Sequence, residues 1–308
     1  MISFVDVNDT EKVDTVIEKI EQNCRADAEM MIGDFRDLAT EIAEVAIAVS
    51  DGCMLVRVLD GGDYMFIFPI MLSENGDPAA ALVALSEYVR REMLPFLLTD
   101  VPREGVDILT GVFAHVDARA YEDDEDIFAA IVKNELDMIE EYPTVESGDL
   151  TLSPITDADA LLYTRLCSDR ELNKYWGFDD LADNPSANPE LFMLIVEREK
   201  KDGIALSLAV RRDGKYLGEG VIYNCDFNGE AEVGVRILPE YQGRGVGLLA
   251  LDGIIKYCRE IGISTMRARV REENVHAIKL MKKRFIETER RDGVVYLFAP
   301  VTGFELLD

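Results

Sequence analysis

The sequence is poor in the residues that build metal sites and disulfide frameworks. Its 308 residues include only five cysteines and two histidines, and no two cysteines stand in a C-x-x-C spacing. An odd, scattered set of cysteines is typical of a reducing compartment and argues against a disulfide framework or a zinc site. We therefore expect a cytoplasmic protein without a metal site.

The chain also lacks segments that would carry it to or through a membrane. Its first residues, MISFVDVNDTEKVD, contain no basic stretch and no apolar core, so no signal peptide is expected. The longest apolar run, from Tyr64 to Leu72, is too short to cross a bilayer. The sequence therefore predicts no membrane span.

Positive charge is scarce, with 32 Lys and Arg against 60 Asp and Glu and a net charge of −28. Such a chain repels nucleic acid and anionic lipid, so no nucleic-acid partner is expected. It attracts cations, amines included, although most of the charge serves solubility. Residues 1–150 carry 34 acidic and 10 basic side chains, and residues 151–308 carry 26 and 22. This asymmetry and the length predict two domains, 1–140 and 149–308, joined by a linker within 140–150.

What the sequence does contain is a glycine-rich turn between a strand pattern and a helix pattern. In Ala231 to Ala250, AEVGVRILPEYQGRGVGLLA, apolar residues alternate as far as Leu238, Pro239 ends the strand, and an apolar-periodic run follows Gly247. A glycine turn that leads into a helix leaves unpaired N–H groups, admits a ligand close to the backbone and gains the positive end of the helix dipole. This predicts a cradle for a pyrophosphate with Arg244 at its rim, although a turn that only lets the helix pack would look similar.

Two common phosphate motifs fit this turn poorly. A P-loop ends in Gly-Lys-Ser/Thr, and a dinucleotide fingerprint reads G-x-G-x-x-G, whereas Gly243, Gly245 and Gly247 give G-x-G-x-G. The pattern Q/R-x-x-G-x-G/A does fit, with Gln242, Gly245 and Gly247 at its three fixed positions. It resembles the acyl-CoA pyrophosphate loop of the GNAT acetyltransferases.

The order of elements across about residues 149–301 resembles the GNAT fold as well. The patterns predict β, α, α, β, β, β, loop–helix, β, α, β, β. The segment from Ser168 to Gly177 and the final hairpin look most like the branch of ribosomal-protein alanine acetyltransferases. The resemblance implies an α/β (α+β) class, with a mixed, mostly antiparallel sheet flanked by helices.

The first half is predicted to begin with helix over residues 10–49, followed by a hairpin of Met54–Leu59 and Tyr64–Ile70. The run YMFIFP from Tyr64, with Ala81, Leu82, Leu85, Tyr88 and then VPRE at 101–104, resembles the N-terminal lobe of bacterial proteins related to the phosphatidylglycerol lysyltransferase C-terminal region. That resemblance covers about residues 20–135. It implies a degenerate GNAT-like lobe at 1–140 that lacks CoA and serves as a scaffold or acceptor-side wall.

The GNAT resemblance also implies where the cosubstrate, acetyl-CoA, is held. Two neighbouring strands, 232–238 and 266–270, would splay apart and hold the pantetheine arm by main-chain bonds. Asn274 matches the family's N-x-x-A position with Ala277 beside it, although capping the helix is an alternative role that is compatible with the first. The expected cofactor-binding residues are Val235, Ile237, Leu238, Gln242, Gly243, Arg244, Gly245, Val246, Gly247, Leu248, Asn274, Ala277 and Met281.

The general acid is left open by the sequence. The family commonly has a tyrosine seven residues after Asn274, and here that position is Met281, whose thioether cannot donate a proton. The closing Gly-Phe is altered to Arg284-Phe285, one residue early. Water or another hydroxyl would have to protonate the thiolate, and Tyr223 is a nearby candidate. Otherwise the transfer would be slow.

Transfer to an amine also needs a group that removes a proton. Glu232 is the main candidate for this base because it lies on the strand beside the acyl site, and the alternative is an ordinary solvent-facing glutamate. Glu219 and Asp226 are lesser options. The two histidines are expected to be structural or exposed.

The sequence thus predicts an acyl-CoA (acetyl-CoA) dependent N-acyltransferase that acts on a primary amine of a small molecule or on a peptide N-terminus by direct transfer. Because of Met281, a catalytically weak acyl-CoA-binding sensor or regulatory module is the alternative. An aminoacyl-tRNA-dependent transferase, suggested by the first lobe, is disfavoured by the acidic charge and the intact loop. A homodimer is left open.

Overall fold

The computed structural model describes residues 3–6, 11–12, 14–15, 45–50, 53–60, 63–67, 70–71, 76–91, 96–176 and 188–301. The chain divides into two compact units, Met1–Lys133 and Asn134–Asp308. Each unit builds one mixed sheet flanked by helices, so the predicted α/β (α+β) class is confirmed. Within the described residues, no helix is long and apolar enough to cross a membrane.

Within its described residues, the first unit contains a sheet of eight strands and two long helices. Its strands are β1 (Ser3–Asp6), β2 (Val45–Ser50), β3 (Cys53–Asp60), β4 (Asp63–Ile67), β5 (Ile70–Met71), β6 (Leu97–Pro102), β7 (His115–Tyr121) and β8 (Asp124–Lys133). Its helices are α1 (Pro78–Arg91) and α2 (Arg103–Val112). The predicted hairpin is confirmed, because β3 and β4 pair antiparallel from Arg57 with Phe66 to Asp60 with Asp63.

The helix predicted over residues 10–49 is wrong at its end. Residues 45–50 form β2, which pairs antiparallel with β3 along its whole length. The segment VAIAVS alternates branched residues with small ones, and this pattern favours a strand. It outweighs the spacing of Ile42 and Val45, which had indicated a helix. Residues 11–12 and 14–15 are helical, and the remainder of the prediction lies outside the described residues.

The described part of the second unit, 134–176 and 188–301, also contains eight strands in one sheet. Its strands are β9 (Val145–Ser147), β10 (Leu150–Pro154), β11 (Ala205–Arg212), β12 (Lys215–Tyr223), β13 (Glu230–Ile237), β14 (Thr265–Arg271), β15 (Ile286–Arg291) and β16 (Val294–Pro300). Its helices are α3 (Ala160–Ser168), α4 (Arg170–Asn173), α5 (Pro189–Lys201), α6 (Val246–Glu260) and α7 (Val275–Met281), with 3-10 turns at Asp157–Asp159 and Pro239–Tyr241.

The segment predicted as a linker contributes an edge strand. Strand β9 pairs antiparallel with β10, with Leu150 opposite Ser147. Val145 and Ser147 are buried and Glu146 is exposed, as expected for one face turned to a core. Gly148 has φ +59, which allows the tight turn between the two strands. The Ser and Gly content that indicated a linker belongs to this hairpin, and Pro143 lies just before it.

The two sheets have the same connectivity. The first runs β1-β2-β3-β4-β6-β8-β7, and the second runs β10-β11-β12-β13-β14-β16-β15 with β9 added at its edge. Each is antiparallel apart from one central parallel pair, β4 with β6 and β13 with β14. A parallel pair needs a crossover, and α1 and α6 supply it in the two units.

Helices cover the second sheet on both faces. The core beside α6 includes Ala250, Ile254 and Cys258 of the helix together with Val233 and Ile237 of β13. A second core on the other face packs α3 and α5 against β11 and β12, and it includes Tyr163, Phe192, Ala209 and Tyr216. Alternate residues of β13 therefore face opposite layers.

Candidate functional site

The central feature of the second unit is a split between β13 and β14. The parallel ladder holds only Glu230 to Glu232 against Thr265 to Arg267, although both strands continue beyond it. Strand β13 stays paired with β12 as far as Ile237. The two central strands therefore separate after Glu232 and leave a wedge-shaped gap in the sheet.

The backbone of β13 presents polar groups to this gap. Leu238 donates its N–H to the carbonyl of Leu217 at 2.9 Å, which fixes the alternation of the β12–β13 ladder. Counting back along the strand, Val233, Val235 and Ile237 turn their N–H and C=O groups towards β14. Because the ladder with β14 has ended at Glu232 and Arg267, the backbone groups of Val235 and the N–H of Ile237 line the gap.

A glycine loop leads from the end of β13 into α6. Gly243 and Gly245 have φ +71 and +80, a left-handed conformation that favours glycine, and Gly245 is the N-cap of the helix. A Cβ atom built on either glycine would have no neighbour within 4 Å. The loop backbone is therefore open to a ligand.

In the part of the chain that the structure describes, five consecutive amides of this loop find no hydrogen-bond acceptor. Gln242 donates its N–H to Pro239 at 3.3 Å, and Leu248 donates its N–H to Gly245 at 3.0 Å. Among the residues that the structure describes, the N–H groups of 243–247 between them have no acceptor. They lie at the positive end of a 15-residue helix, and this geometry suits an anion.

Where the split begins, three polar side chains meet. Glu232 is almost fully buried, and its Oε2 accepts a hydrogen bond from Nε of Arg269 at 2.8 Å. Tyr223 lies opposite Glu232 in the β12–β13 ladder and hydrogen-bonds to the same carboxylate. Burial first, and then the negative charge of Glu232, raise the pKa of Tyr223 well above its ordinary range, so the phenol keeps its proton at neutral pH.

Further along the same face, Arg236 is buried in a polar network. Its Nε donates to Oε2 of Glu219 at 2.9 Å, and its Nη1 donates to Oδ1 of Asn173 at 2.7 Å. Its Nη2 also contacts Sγ of Cys167 at 3.4 Å. Burial raises the pKa of the Cys167 thiol to about 11, a rise that the charge of Glu219 reinforces and that of Arg236 opposes.

Trp176 lies over this network and over the backbone of β13. The guanidinium carbon of Arg236 is 4.4 Å from the centroid of its ring, a cation–π distance. A Cβ atom on Gly234 would be 2.5 Å from Cη2 of the ring, so only glycine fits there. Glu232, Gly234 and Arg236 thus share one face, with the ring two strand positions from the carboxylate.

Comparison with known families bears on this arrangement. A family model described as "Acetyltransferase (GNAT) domain" matches residues 149–284, which include the glycine loop, both split strands and most of the helices around them.

The C-terminal half of the chain carries a GNAT acetyltransferase domain.

Individual relatives of this domain are distant. The "Uncharacterized N-acetyltransferase YoaA" of Bacillus subtilis (strain 168) is 25% identical over 151 residues, which are 48% of this chain and 85% of that protein. A solved spermidine N-acetyltransferase from Vibrio cholerae in complex with CoA and spermine is 18% identical, with a TM-score of 0.44 over 50% of this chain and 96% of its own. Mycobacterium smegmatis RimJ in complex with CoA-disulfide is 18% identical, with a TM-score of 0.45 over 52% and 86%.

The ends of the predicted cofactor-binding stretch need correction. Three amides of this stretch already have partners. The amide of Leu238 is bonded in the sheet, that of Gln242 in a 3-10 turn and that of Leu248 in the first turn of α6. The side chain of Gln242 donates from Nε2 to the carbonyl of Ile237 at 2.8 Å, so it braces the loop against β13. The amides of 243–247 remain available, and Arg244 is exposed beside them.

Among the residues after the split, Asn274 caps α7 by accepting a hydrogen bond from Ala277 at 3.2 Å. Met281 is 5% exposed and belongs to the core cluster beside α6. Arg284, from the altered closing motif, pairs with Asp252 at 2.5 Å and joins the turn after α7 to α6. Gly247 packs closely against α7, since a Cβ atom added to it would lie 3.4 Å from Cδ2 of Leu280.

The lesser candidate bases have structural roles. Glu219 is held in the ion pair with Arg236, and Oδ1 of Asp226 accepts hydrogen bonds from the amides of Asn228 and Glu230 in a turn. Sequence patterns alone did not identify Arg269 or Trp176. The alternation Arg267-Ala268-Arg269-Val270-Arg271 indicates three arginines on one strand face, but the carboxylate partner of Arg269 lies on a strand 37 residues earlier.

Proposed function

We propose that this protein is an acyl-CoA dependent N-acyltransferase that uses acetyl-CoA and transfers the acetyl group directly to a primary amine. The observation that carries the proposal is the set of five consecutive unpaired amides at 243–247, next to the split between β13 and β14. The GNAT family match over residues 149–284 supports the same activity.

The residues present fit the cosubstrate. The amides of 243–247 would hold its pyrophosphate, with the exposed Arg244 adding charge. The backbone groups of Val235 and the N–H of Ile237 would hold its pantetheine arm in the gap. Asn274 lies at the start of α7 and keeps its side-chain nitrogen for a further contact. Acetyl-CoA supplies an acetyl group activated as a thioester.

Two side chains are placed to handle protons. Glu232 lies where the strands separate, and it accepts the proton that the acceptor amine loses, directly or through water. Tyr223 is the nearest phenol to this carboxylate, and its raised pKa keeps it protonated, as a general acid must be. It takes the role that the buried Met281 cannot perform.

The acceptor is a primary amine of a small molecule or a peptide N-terminus. Glu232, Gly234 and Trp176 lie on one face of the sheet, where they offer an anion and an aromatic wall packed closely on the backbone of Gly234. A carboxylate beside an aromatic ring is a favourable site for an ammonium group before it loses its proton.

The experiment has two steps. Calorimetry with acetyl-CoA measures binding, and thiol release over a panel of primary amines measures transfer. We expect binding and at least one amine that gives turnover, while Glu232→Gln reduces kcat by about 100-fold and leaves the affinity for acetyl-CoA unchanged. Binding without thiol release from any amine would contradict an enzyme.

That second outcome corresponds to a specific alternative. Met281 stands at the position where the family has its tyrosine, and it is buried in the core. A protein that binds acyl-CoA tightly and turns it over weakly would act as a sensor or regulatory module. Tyr223→Phe separates the two functions, because it lowers kcat only if the phenol takes part in transfer.

For the first unit, we infer a second GNAT-like lobe that does not bind CoA. Its sheet has the connectivity of the second sheet, with a parallel pair between β4 and β6. The start of its crossover helix differs, because Oδ1 of Asp77 accepts hydrogen bonds from Ala79 at 3.0 Å and Ala80 at 3.2 Å. A carboxylate thus occupies the position that an anion would take. Acetyl-CoA binding with a stoichiometry of one per chain supports this inference, and two would contradict it.

A further inference from the structure

Arg269 reaches across the split at the place where the ladder ends. The last paired residues of β13 and β14 are Glu232 and Arg267, and Arg269 lies two residues further along β14 on the same face as Arg267. Its Nε nevertheless donates to Oε2 of Glu232 at 2.8 Å. One ion pair therefore bridges the two strands beyond their last backbone contact.

The two partners differ greatly in exposure. The side chain of Glu232 is 9% exposed, and that of Arg269 is 51% exposed. Burying a carboxylate is costly unless it is paired and hydrogen-bonded, so Glu232 depends on Arg269 and Tyr223 to remain in place. Arg269 is solvated and does not depend on Glu232 in the same way.

The other groups around this carboxylate are engaged elsewhere. Arg267 pairs with Glu230 at 2.7 Å inside the ladder, and Arg236 pairs with Glu219. Arg271 lies on the same face of β14, and its side chain has no ion pair among the described residues. Arg269 is thus the one arginine of this strand face seen to bridge the open part of the split.

We propose that Arg269 is a positioning residue for the transfer reaction. The Nε of Arg269 holds one oxygen of Glu232, and Tyr223 restrains the same carboxylate from β12. The second oxygen, Oε1, is therefore directed to the acceptor amine. Arg269 itself contacts neither the acyl group nor the amine. The inference rests on the proposed function, because it assigns a residue to support the base in that reaction.

A competing role is structural. In that role the same ion pair sets the width of the gap between β13 and β14, and thereby the fit of the pantetheine arm. The two roles separate in the kinetics, because a misplaced base lowers kcat, whereas a misshaped gap raises KM for acetyl-CoA.

The test compares Arg269→Gln, Arg269→Lys and the matched control Arg271→Gln in steady-state thiol release. We expect Arg269→Gln to lower kcat at least about tenfold with KM for acetyl-CoA within about twofold of the parent. Arg269→Lys keeps the cation and should recover most of the loss, and Arg271→Gln should match the parent. A raised KM for acetyl-CoA with kcat unchanged, or equal behaviour of Arg269→Gln and Arg271→Gln, overturns the proposal.

A thermal-unfolding cycle gives a readout that does not need activity. The parent, Glu232→Gln, Arg269→Gln and the double variant are melted under one condition, and we expect non-additive shifts in Tm because the two side chains form one pair. Additive shifts overturn the pairing itself. Failure of the parent to release thiol with any amine overturns the proposed function, whereas turnover that ignores Arg269 overturns only this inference.

Discussion

Arg236 donates from both Nε and Nη2 to a single carboxylate oxygen of Glu219 on the neighbouring strand. Both side chains are almost fully buried, at 8% and 2% exposed. The pair lies on the same face as Glu232, two strand positions from Gly234, and Trp176 covers it. This face of the second sheet is therefore built on a buried charge pair, which makes it sensitive to loss of either partner.

Removing one partner should destabilise the protein severely. Glu219→Gln leaves the guanidinium of Arg236 buried and short of its charge partner, so we expect a loss of about 3–5 kcal/mol in the free energy of unfolding. Denaturant unfolding followed by circular dichroism measures it. The double variant Glu219→Met, Arg236→Met removes both charges and should recover part of the loss.

The matched control is an exposed pair. Arg165 and Glu240 are 2.8 Å apart with side chains 55% and 39% exposed, and solvent screens their interaction. Glu240→Gln should therefore cost less than about 1 kcal/mol. Similar losses from Glu219→Gln and Glu240→Gln would contradict the importance of the buried pair.

The position of Trp176 can be followed directly, because it is the sole tryptophan of the chain. A methyl group at Gly234 would lie 2.5 Å from Cη2 of its ring, so Gly234→Ala must displace the indole from the sheet. We expect the fluorescence emission of Gly234→Ala to move to longer wavelength as the ring gains contact with water. Gly111→Ala, where a Cβ meets nothing within 4 Å, should keep the parent spectrum. An unshifted spectrum for Gly234→Ala would place the ring elsewhere.

The glycine loop makes a prediction about binding. Gly245 has φ +80 with open space around its Cβ position, so Gly245→Ala introduces backbone strain of about 1–2 kcal/mol without a clash. Relief of that strain should rotate the neighbouring amides, and we expect the affinity for acetyl-CoA to fall about tenfold or more in calorimetry.

Gly214→Ala provides the control for strain alone. Gly214 has φ +74 in a hairpin turn and equally open surroundings, so its loss of stability should be similar. Only Gly245→Ala should lose affinity for acetyl-CoA. Equal affinities for the two variants would count against the loop as the pyrophosphate site.

Local patterns were sufficient to predict most of the second unit. Alternating apolar residues, the Pro239 stop and the glycines before α6 are all within about 20 residues of one another, so the strand, loop and helix could be inferred from sequence. The candidate site is harder to predict, since it depends on which partners each group finds. The amide of Leu238 is used by Leu217, and Gln242 turns back to Ile237.

Long-range pairing explains the predictions that were wrong and the residues that were missed. Residues 45–50 became a strand because β3 lies beside them, and β9 formed because β10 offers an edge. The bond between Arg269 and Glu232 requires the register of the β13–β14 ladder, which no local pattern contains. Trp176 gains its role from Gly234, 58 residues later in the chain.

The thiol of Cys167 offers a test of the same buried network by chemistry. Burial raises its pKa to about 11, and the nearby charge of Glu219 adds to that rise. The thiolate is the reactive form, so modification should be very slow at pH 8 and should accelerate as the pH approaches 11. Iodoacetamide labelling at a series of pH values, read by peptide mass spectrometry, measures this in a Cys24→Ser, Cys53→Ser background.

Cys225 and Cys258 serve as references within the chain, because burial raises the pKa of each further still. Rapid labelling of Cys167 at pH 8 would mean that Arg236 stabilises the thiolate more than burial opposes it, and the network would then carry a reactive cysteine.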